Sequence, residues 1–300
     1  MAERDLLALR NLSAQEIRRL IDRAKARTPS RVLAGKSVGL FFEKASTRTR
    51  VSFEVAIAQL GGHPLFLPAQ DIQLGRGETV ADTARVLSRY LDALVIRTFG
   101  QDRVEEWARH ATIPVINGLT DAHHPCQILA DLLTIDEHKG RLNGIVAAYV
   151  GDGNNIAHSL LEGCAMTGMT CRVASPSGYH PDAEIVKWAE LEARKSGGAV
   201  WIGEDPREAA RGADVLYTDV WTSMGQEAET AARGKVFRPY QINADLLRLA
   251  KPDAIVMHCL PAHRGEEITD EVMEGRQSVV FDQAENRLHI QKAVLEMLVG

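Results

Sequence analysis

Ser37-Val38-Gly39-Leu40-Phe41-Phe42 runs into Glu43-Lys44-Ala45-Ser46-Thr47-Arg48-Thr49-Arg50, and that junction runs into Val51-Ser52-Phe53-Glu54-Val55-Ala56-Ile57-Ala58-Gln59-Leu60. The first run is short, continuous and apolar, the signature of a strand buried on both faces. The last reads as an apolar helix, so the whole stretch is a strand-to-helix unit of the kind that builds parallel sheets. A helix start leaves N–H donors unpaired and carries a partial positive charge. With hydroxyls and two guanidiniums added, this junction suits a dianion such as phosphate. Arg48 and Arg50 lie about 200° apart around a helix, so they cannot both face one small ligand. Arg48 is the expected anion ligand, and Arg50 is expected to pair with Glu54 at i+4. Alone, the segment is also readable, less favourably, as a capped surface helix with solvated arginines.

The same alternation continues along the chain. Expected strands are 38–42, 64–67, 93–97 and 115–117, then 145–150, 170–174, 199–202, 215–218, 254–258 and 278–281. Helical patterns fall between them at 104–110, 126–139, 156–167 and 182–195, with a last helix over 285–299. The fold class is therefore α/β, with two doubly wound parallel-sheet domains and the active site in the cleft between them. A chain of 300 residues is long for one core, which agrees with two domains. The boundary is placed in the 126–139 helix, giving domains of 1–135 and 136–300, with the 285–299 helix expected to pack back on the first. The long aperiodic stretch 221–240, rich in Gly, Ala, Glu and Thr, is expected to be a lid or binding loop.

Composition narrows the function classes. A net charge of −5 and the lack of a basic stripe argue against a nucleic-acid surface. No apolar run approaches the ~20 residues of a membrane span, and the charged start lacks a signal peptide's apolar core. The four cysteines (Cys126, Cys164, Cys171 and Cys259) show no CxxC spacing, so neither a zinc site nor a disulfide framework is expected. A reduced, cytoplasmic protein is the expectation.

Polar residues interrupt the apolar strands at their carboxyl ends: Arg97, Asp152, Asp219 and His258-Cys259. Ligands of open parallel sheets bind at that rim. Each residue alone could be structural; jointly they favour a site. Asp121-Ala122-His123-His124-Pro125-Cys126-Gln127 leads into a helix with proline where the first turn tolerates it, and its imidazole and amide could polarise a carbonyl. No carboxylate or cysteine completes a metal spacing around the His-His pair. Gly151-Asp152-Gly153-Asn154-Asn155-Ile156 imitates a dinucleotide fingerprint, but its sixth position is Ile156. A nicotinamide dehydrogenase is weakened by that departure. A two-lobed solute-binding protein, the other rival, normally needs an export signal. His258-Cys259-Leu260-Pro261 puts a thiol at a strand end, where a nucleophilic and an orienting role are both open.

Ser46-Thr47-Arg48-Thr49-Arg50, His124-Pro125-Cys126-Gln127, Asp219-Val220-Trp221-Thr222-Ser223-Met224-Gly225 and His258-Cys259-Leu260-Pro261 together resemble, in order and spacing, the signatures of the ornithine carbamoyltransferases, within the aspartate/ornithine carbamoyltransferase superfamily. The resemblance spans nearly the whole chain. It implies transfer of a carbamoyl group from carbamoyl phosphate to the δ-amine of L-ornithine, giving L-citrulline and phosphate, with arginine biosynthesis as the default direction. It implies no metal or organic cofactor and a homotrimeric core. The carbamoyl phosphate contacts it implies are Ser46, Thr47, Arg48, Thr49, Gln73, Arg97, His124, Pro125, Cys126 and Gln127. The ornithine contacts it implies are Asn155, Asp219, Ser223, Met224, Cys259, Leu260 and Arg287. Arg48, Arg97, His124, Asp219 and Cys259 would carry catalysis, with Cys259 orienting the amine and helping to deprotonate it. A basic residue in the Gln73–Thr79 loop, Arg76, resembles the placement of a lysine in aspartate-using relatives. Aspartate, putrescine and acylated ornithine therefore remain alternative acceptors, as does the catabolic direction.

Overall fold

The computed structural model describes residues 5–223, 225 and 227–300. The chain divides into two compact units, one of residues up to Leu133 with Glu285–Gly300, the other Thr134–Ala284. Among the described residues no helix is long and apolar enough to cross a membrane.

The first unit carries α1 (Ala14–Ala26), β1 (Ser37–Phe42), α2 (Thr47–Gln59), β2 (His63–Pro68), α3 (Val80–Leu87), β3 (Ala93–Arg97), α4 (Gln101–His110) and β4 (Val115–Leu119); α5 (Pro125–Lys139) leads out of it. Its strands form a parallel sheet in the order β2-β1-β3-β4. Strand order reverses between β1 and β3, and there Phe42 pairs with Arg97. That reversal is where an open α/β sheet leaves a crevice at its carboxyl edge, and β1 ends beside it. β1 is apolar because both its faces are covered: Val38, Leu40 and Phe41 are fully buried. A Cβ on Gly39 would lie 2.6 Å from Leu91 Cδ1, so a larger residue here would have to displace that leucine side chain. Burying each large apolar side chain contributes about 1.5–3 kcal/mol.

The second unit contains β5 (Val146–Val150), α6 (Asn155–Thr167), β6 (Thr170–Ala174), α7 (Ala183–Ser196), β7 (Ala199–Gly203), α8 (Pro206–Ala210), β8 (Val215–Thr218), α9 (Thr230–Phe237), α10 (Ala244–Leu247), β9 (Ile255–His258) and α11 (Asp270–Met273), before α12 (Val280–Val299). Its parallel sheet runs β7-β6-β5-β8-β9. Here the order reverses between β5 and β8, which pair through Tyr149 and Tyr217, and β9 lies next with His258 opposite Thr218. Two separate parallel sheets, alternating with helices, are the α/β architecture that the apolar runs imply.

Two expectations are corrected. The run 278–281 is not a strand: Ser278 makes one parallel bridge to Val256, and the chain enters α12 at Val280. Its β-branched and aromatic residues imitate strand composition, but only Val279 N–H adds to the ladder, donating to Val256 O at 3.0 Å. The stretch 221–240 is not an unbroken loop, because α9 occupies Thr230–Phe237. That helix has almost no amphipathic periodicity, carries Gly234 in its interior and buries only Arg233 and Phe237, four residues apart. Hydrophobic periodicity could not find it.

Candidate active site

At the β1–α2 junction Ser46 is the N-cap of α2, its hydroxyl accepting from Thr49 N–H at 3.2 Å. This leaves the N–H groups of Thr47 and Arg48 in the first turn without intrahelical acceptors. Arg50 pairs with Glu54 at 2.9 Å and stacks over Phe66, as the helical spacing requires. Arg48 is half-buried and has no hydrogen-bond or ion-pair partner among the described residues. The two arginines thus divide as their angular separation demands.

Residues from three further elements, β3, α5 and α12, are grouped with that junction in the first unit. Arg97, 6% exposed, ends β3 where the register with β4 shifts and Gly118 is passed over. A bulge of this kind re-aims the side chain that follows it. His124 caps α5, its carbonyl accepting from Gln127 N–H at 3.1 Å, and it is 4% exposed. Burial first, then the Arg287 and Arg97 guanidiniums, hold its imidazole well below the usual histidine range. The ring is therefore neutral at physiological pH and offers an N–H without a charge. Arg287, on α12, donates to Gln127 Oε1 at 2.7 Å and to Thr49 Oγ1 at 2.6 Å. Gln127 is held from its other end, Nε2 donating to Asp131 Oδ1 at 2.8 Å. Thr49, Arg97, His124, Gln127 and Arg287 thus form one set.

Other residues of the first expected set stand differently. Cys126 is buried with its thiol 3.7 Å from Asn117 O, and burial pushes that thiol up to about 12, so it is no nucleophile. Pro125 opens α5 without an N–H to offer. Gln73 is exposed on a 3-10 turn and makes no hydrogen bond to the set among the described residues. Arg287, expected beside ornithine, hydrogen-bonds Thr49 and Gln127.

The second unit builds its cluster at its own strand-order reversal. Asp219, 7% exposed, follows β8 and accepts from Cys259 Sγ at 3.0 Å and from Asn154 Nδ2 at 2.9 Å. Asn155 begins α6 and is half-buried, as are Ser223 and Leu260; Met224 and the side chain of Arg76 lie outside the described residues. Leu260 adopts a left-handed backbone at φ 60°, uncommon for a branched-chain residue, and its N–H donates to His258 Nδ1 at 2.9 Å. His258 Nε2 faces Glu267 Oε1 at 3.1 Å, both side chains fully buried. The ligand atoms of Asp219, His258 and Cys259 lie within 4.8 Å of one another, as do those of His263, Glu266 and Glu267. In the first group the thiol is already committed to the carboxylate, and both imidazole nitrogens are engaged.

Sequence reasoning missed two residues here, Arg233 and Asn154, and left Asp152 without a partner. Arg233 donates to Asp152 Oδ2 and to Trp221 O, each at 2.9 Å, and to Glu229 at 3.0 Å, pinning the start of the 221–237 segment to the end of β5. Asp152 is pushed up to about 6 by burial, with Arg233 opposing. Asn154 was hidden behind its neighbour Asn155, since nothing in the local pattern says which of two adjacent amides turns toward β8.

Residues 4–137 match the family described as aspartate/ornithine carbamoyltransferase, carbamoyl-P binding domain, and residues 143–298 match the Asp/Orn binding domain of the same family. The chain is 56% identical over 307 residues to the anabolic ornithine carbamoyltransferase of Pyrococcus furiosus, covering 100% of this chain and 98% of the relative. It is 60% identical over 299 residues to the ornithine carbamoyltransferase of Gloeobacter violaceus, covering 99% and 96%. Among solved structures, the Pyrococcus furiosus ornithine carbamoyltransferase superposes with a TM-score of 0.96 at 56% identity, covering 99% of this chain and 97% of that one. The anabolic ornithine carbamoyltransferase of Campylobacter jejuni reaches 0.94 at 41% identity, covering 98% of each.

Proposed function

The chain belongs to the aspartate/ornithine carbamoyltransferase family, and from that premise we propose that it transfers the carbamoyl group of carbamoyl phosphate to the δ-amine of L-ornithine, releasing L-citrulline and phosphate. The observation that carries this reading is the set Thr49, Arg97, His124, Gln127 and Arg287 beside the unpartnered Arg48 at the α2 start. Carbamoyl phosphate is small and almost wholly polar, so its affinity must come from charge-assisted hydrogen bonds. Ser46, Thr47, Arg48 and the first-turn N–H groups would hold the phosphoryl oxygens.

Attack by the amine nitrogen makes a C–N bond and a tetrahedral oxyanion. The intermediate collapses by breaking the C–O bond to phosphate. Thr49, Arg97 and neutral His124 would stabilise the oxyanion, and Arg48 would take the charge of the departing phosphate. Thr49 accepts from Arg287, which leaves its own proton to donate to that oxygen. The bonds of Arg287 support assigning it to the carbamoyl phosphate residues, with Gln127 as the side chain that orients it.

A free alkylammonium loses its proton near pH 10.4, so only about 0.1% is nucleophilic at neutral pH. The Cys259–Asp219 pair supports a role in binding the ammonium and accepting its proton, with Asn155, Ser223, Met224 and Leu260 as the remaining ornithine contacts. A carboxylate here attracts an amine-bearing acceptor and repels aspartate. Relatives named anabolic support the biosynthetic direction. The four free thiols suit a reducing cytoplasm. Edge strand β2 leaves Pro64, Leu65, Phe66 and Leu67 half-exposed and α2 exposes Val51 and Val55, which supports a face covered by further copies in a homotrimer. Incubating the protein with carbamoyl phosphate and ornithine tests the reading: citrulline and phosphate in equal amounts are expected, and neither appearing would overturn it.

A further inference from the structure

Asn154 holds three donors on one oxygen. Its Oδ1 accepts from Ile156 N–H at 3.0 Å, from Ala157 N–H at 3.3 Å and from the Tyr149 hydroxyl at 3.2 Å. Three donors on that side settle which end of the amide is oxygen, so the Nδ2 end must face Asp219 Oδ2, at 2.9 Å. None of these donors changes state near neutral pH. Two are backbone N–H groups, and burial, then Asp219, Asp152, Cys259 and Glu267, keep the Tyr149 phenol protonated well above the usual tyrosine range. The loop carrying Asn154 is also seated tightly, since a Cβ on Gly153 would lie 2.3 Å from Pro181 N.

We propose that Asn154 is a positioning residue for the transfer reaction, its amide nitrogen locking one oxygen of Asp219 so that the other stays directed at Cys259 and the incoming amine. This rests on the carbamoyltransferase reading above. The chemistry explains why an amide stands here. Asp219 must keep its full negative charge to draw in an ammonium, and a lysine or arginine in this position would neutralise it. An amide N–H orients the carboxylate and leaves its charge unspent. Because α6 is capped by the same side chain, the acceptor oxygen is fixed by helix formation and the donor is aimed as a consequence.

Two variants separate positioning from capping. Asn154→Ser keeps a capping oxygen but cannot reach Asp219. Asn154→Asp keeps size and cap but sets a second carboxylate against the first. We expect Asn154→Ser to lower kcat/KM for ornithine by about 10- to 100-fold, with the KM for carbamoyl phosphate within about twofold, and to unfold at nearly the wild-type temperature. We expect Asn154→Asp to move the acid limb of kcat/KM for ornithine upward by about one pH unit, since adjacent carboxylates resist joint ionisation. A readout without substrate is the pH dependence of Cys259 alkylation by iodoacetamide, followed on its own peptide. In Asn154→Ser it should move to lower pH, as the carboxylate is no longer fixed against the thiol. Wild-type alkylation profiles in both variants would overturn the proposal whether or not the protein makes citrulline. A wild-type protein that makes none overturns the functional reading instead.

Discussion

Arg287 donates from Nη2 to Thr49 Oγ1 at 2.6 Å, joining residues 238 positions apart in sequence. Its Nη1 meets Gln127 at 2.7 Å, so one planar fork ties the last helix to the start of α2 and the start of α5. Lysine carries the charge but not the fork. Arg287→Lys should therefore raise the KM for carbamoyl phosphate by roughly tenfold or more, as loss of a charged hydrogen bond would. The ornithine KM should move less. Initial-rate kinetics with each substrate varied in turn distinguish the two, and a change confined to ornithine would return Arg287 to the amino-acid site.

Arg48 and Arg50 provide an internal control. Arg48→Gln should lower kcat/KM for carbamoyl phosphate by about 10²–10³-fold, the loss typical of one charge-stabilising donor. Arg50→Gln removes an exposed i,i+4 pair with Glu54, an interaction contributing only about 0.3–0.5 kcal/mol. Citrulline formation should thus be nearly unchanged in the second variant. Equal losses in both would refute the division of labour at the α2 start.

Asp152 predicts a pH-dependent stability. Its folded-state value, about 6, lies above the ordinary 3.8. Between those values the folded protein keeps a proton that the unfolded chain has released. Stability from this group is fully present below the unfolded value and is lost as the pH rises through about 6. The melting temperature of the wild type should fall relative to that of Asp152→Asn over that window and level off above it. Scanning calorimetry across the window reads the difference directly, and a wild type that gained stability on the variant with rising pH would contradict the assignment.

Ser223 opens the segment that Arg233 pins through Trp221 O. Ser223→Ala should weaken ornithine binding roughly tenfold, within the range for a hydrogen bond to a charged group. Carbamoyl phosphate affinity, measured by equilibrium binding in the absence of ornithine, should stay within a factor of two. Parallel losses of both ligands would show that this segment serves the whole site.

Much of this architecture was readable from local pattern. Continuous apolar runs such as 38–42 and 93–96 are strands because parallel sheets are covered on both faces, and Arg97, the polar residue ending the second, marks the carboxyl edge. Failures came where local pattern and long-range pairing diverge. The 278–281 run has strand composition, yet a single bridge to Val256 is all the sheet accepts before α12 begins. Helix α9 lacks amphipathic spacing and is anchored by the Arg233–Asp152 ion pair, a partner 81 positions away.

By itself the sequence determined the fold class, most of the strands, the strand-to-helix junction at the start of α2 and the pairing of Arg50 with Glu54. Each depends on periodicity, capping or angular spacing within about one helix or strand, over which chain neighbours fix geometry. Only the tertiary structure decided that Arg287 stands with Thr49 and Gln127, and that Asn154 rather than Asn155 holds Asp219. Those choices are made by hydrogen bonds between distant segments, whose direction depends on how strands order in the sheet and which way each side chain leaves its element.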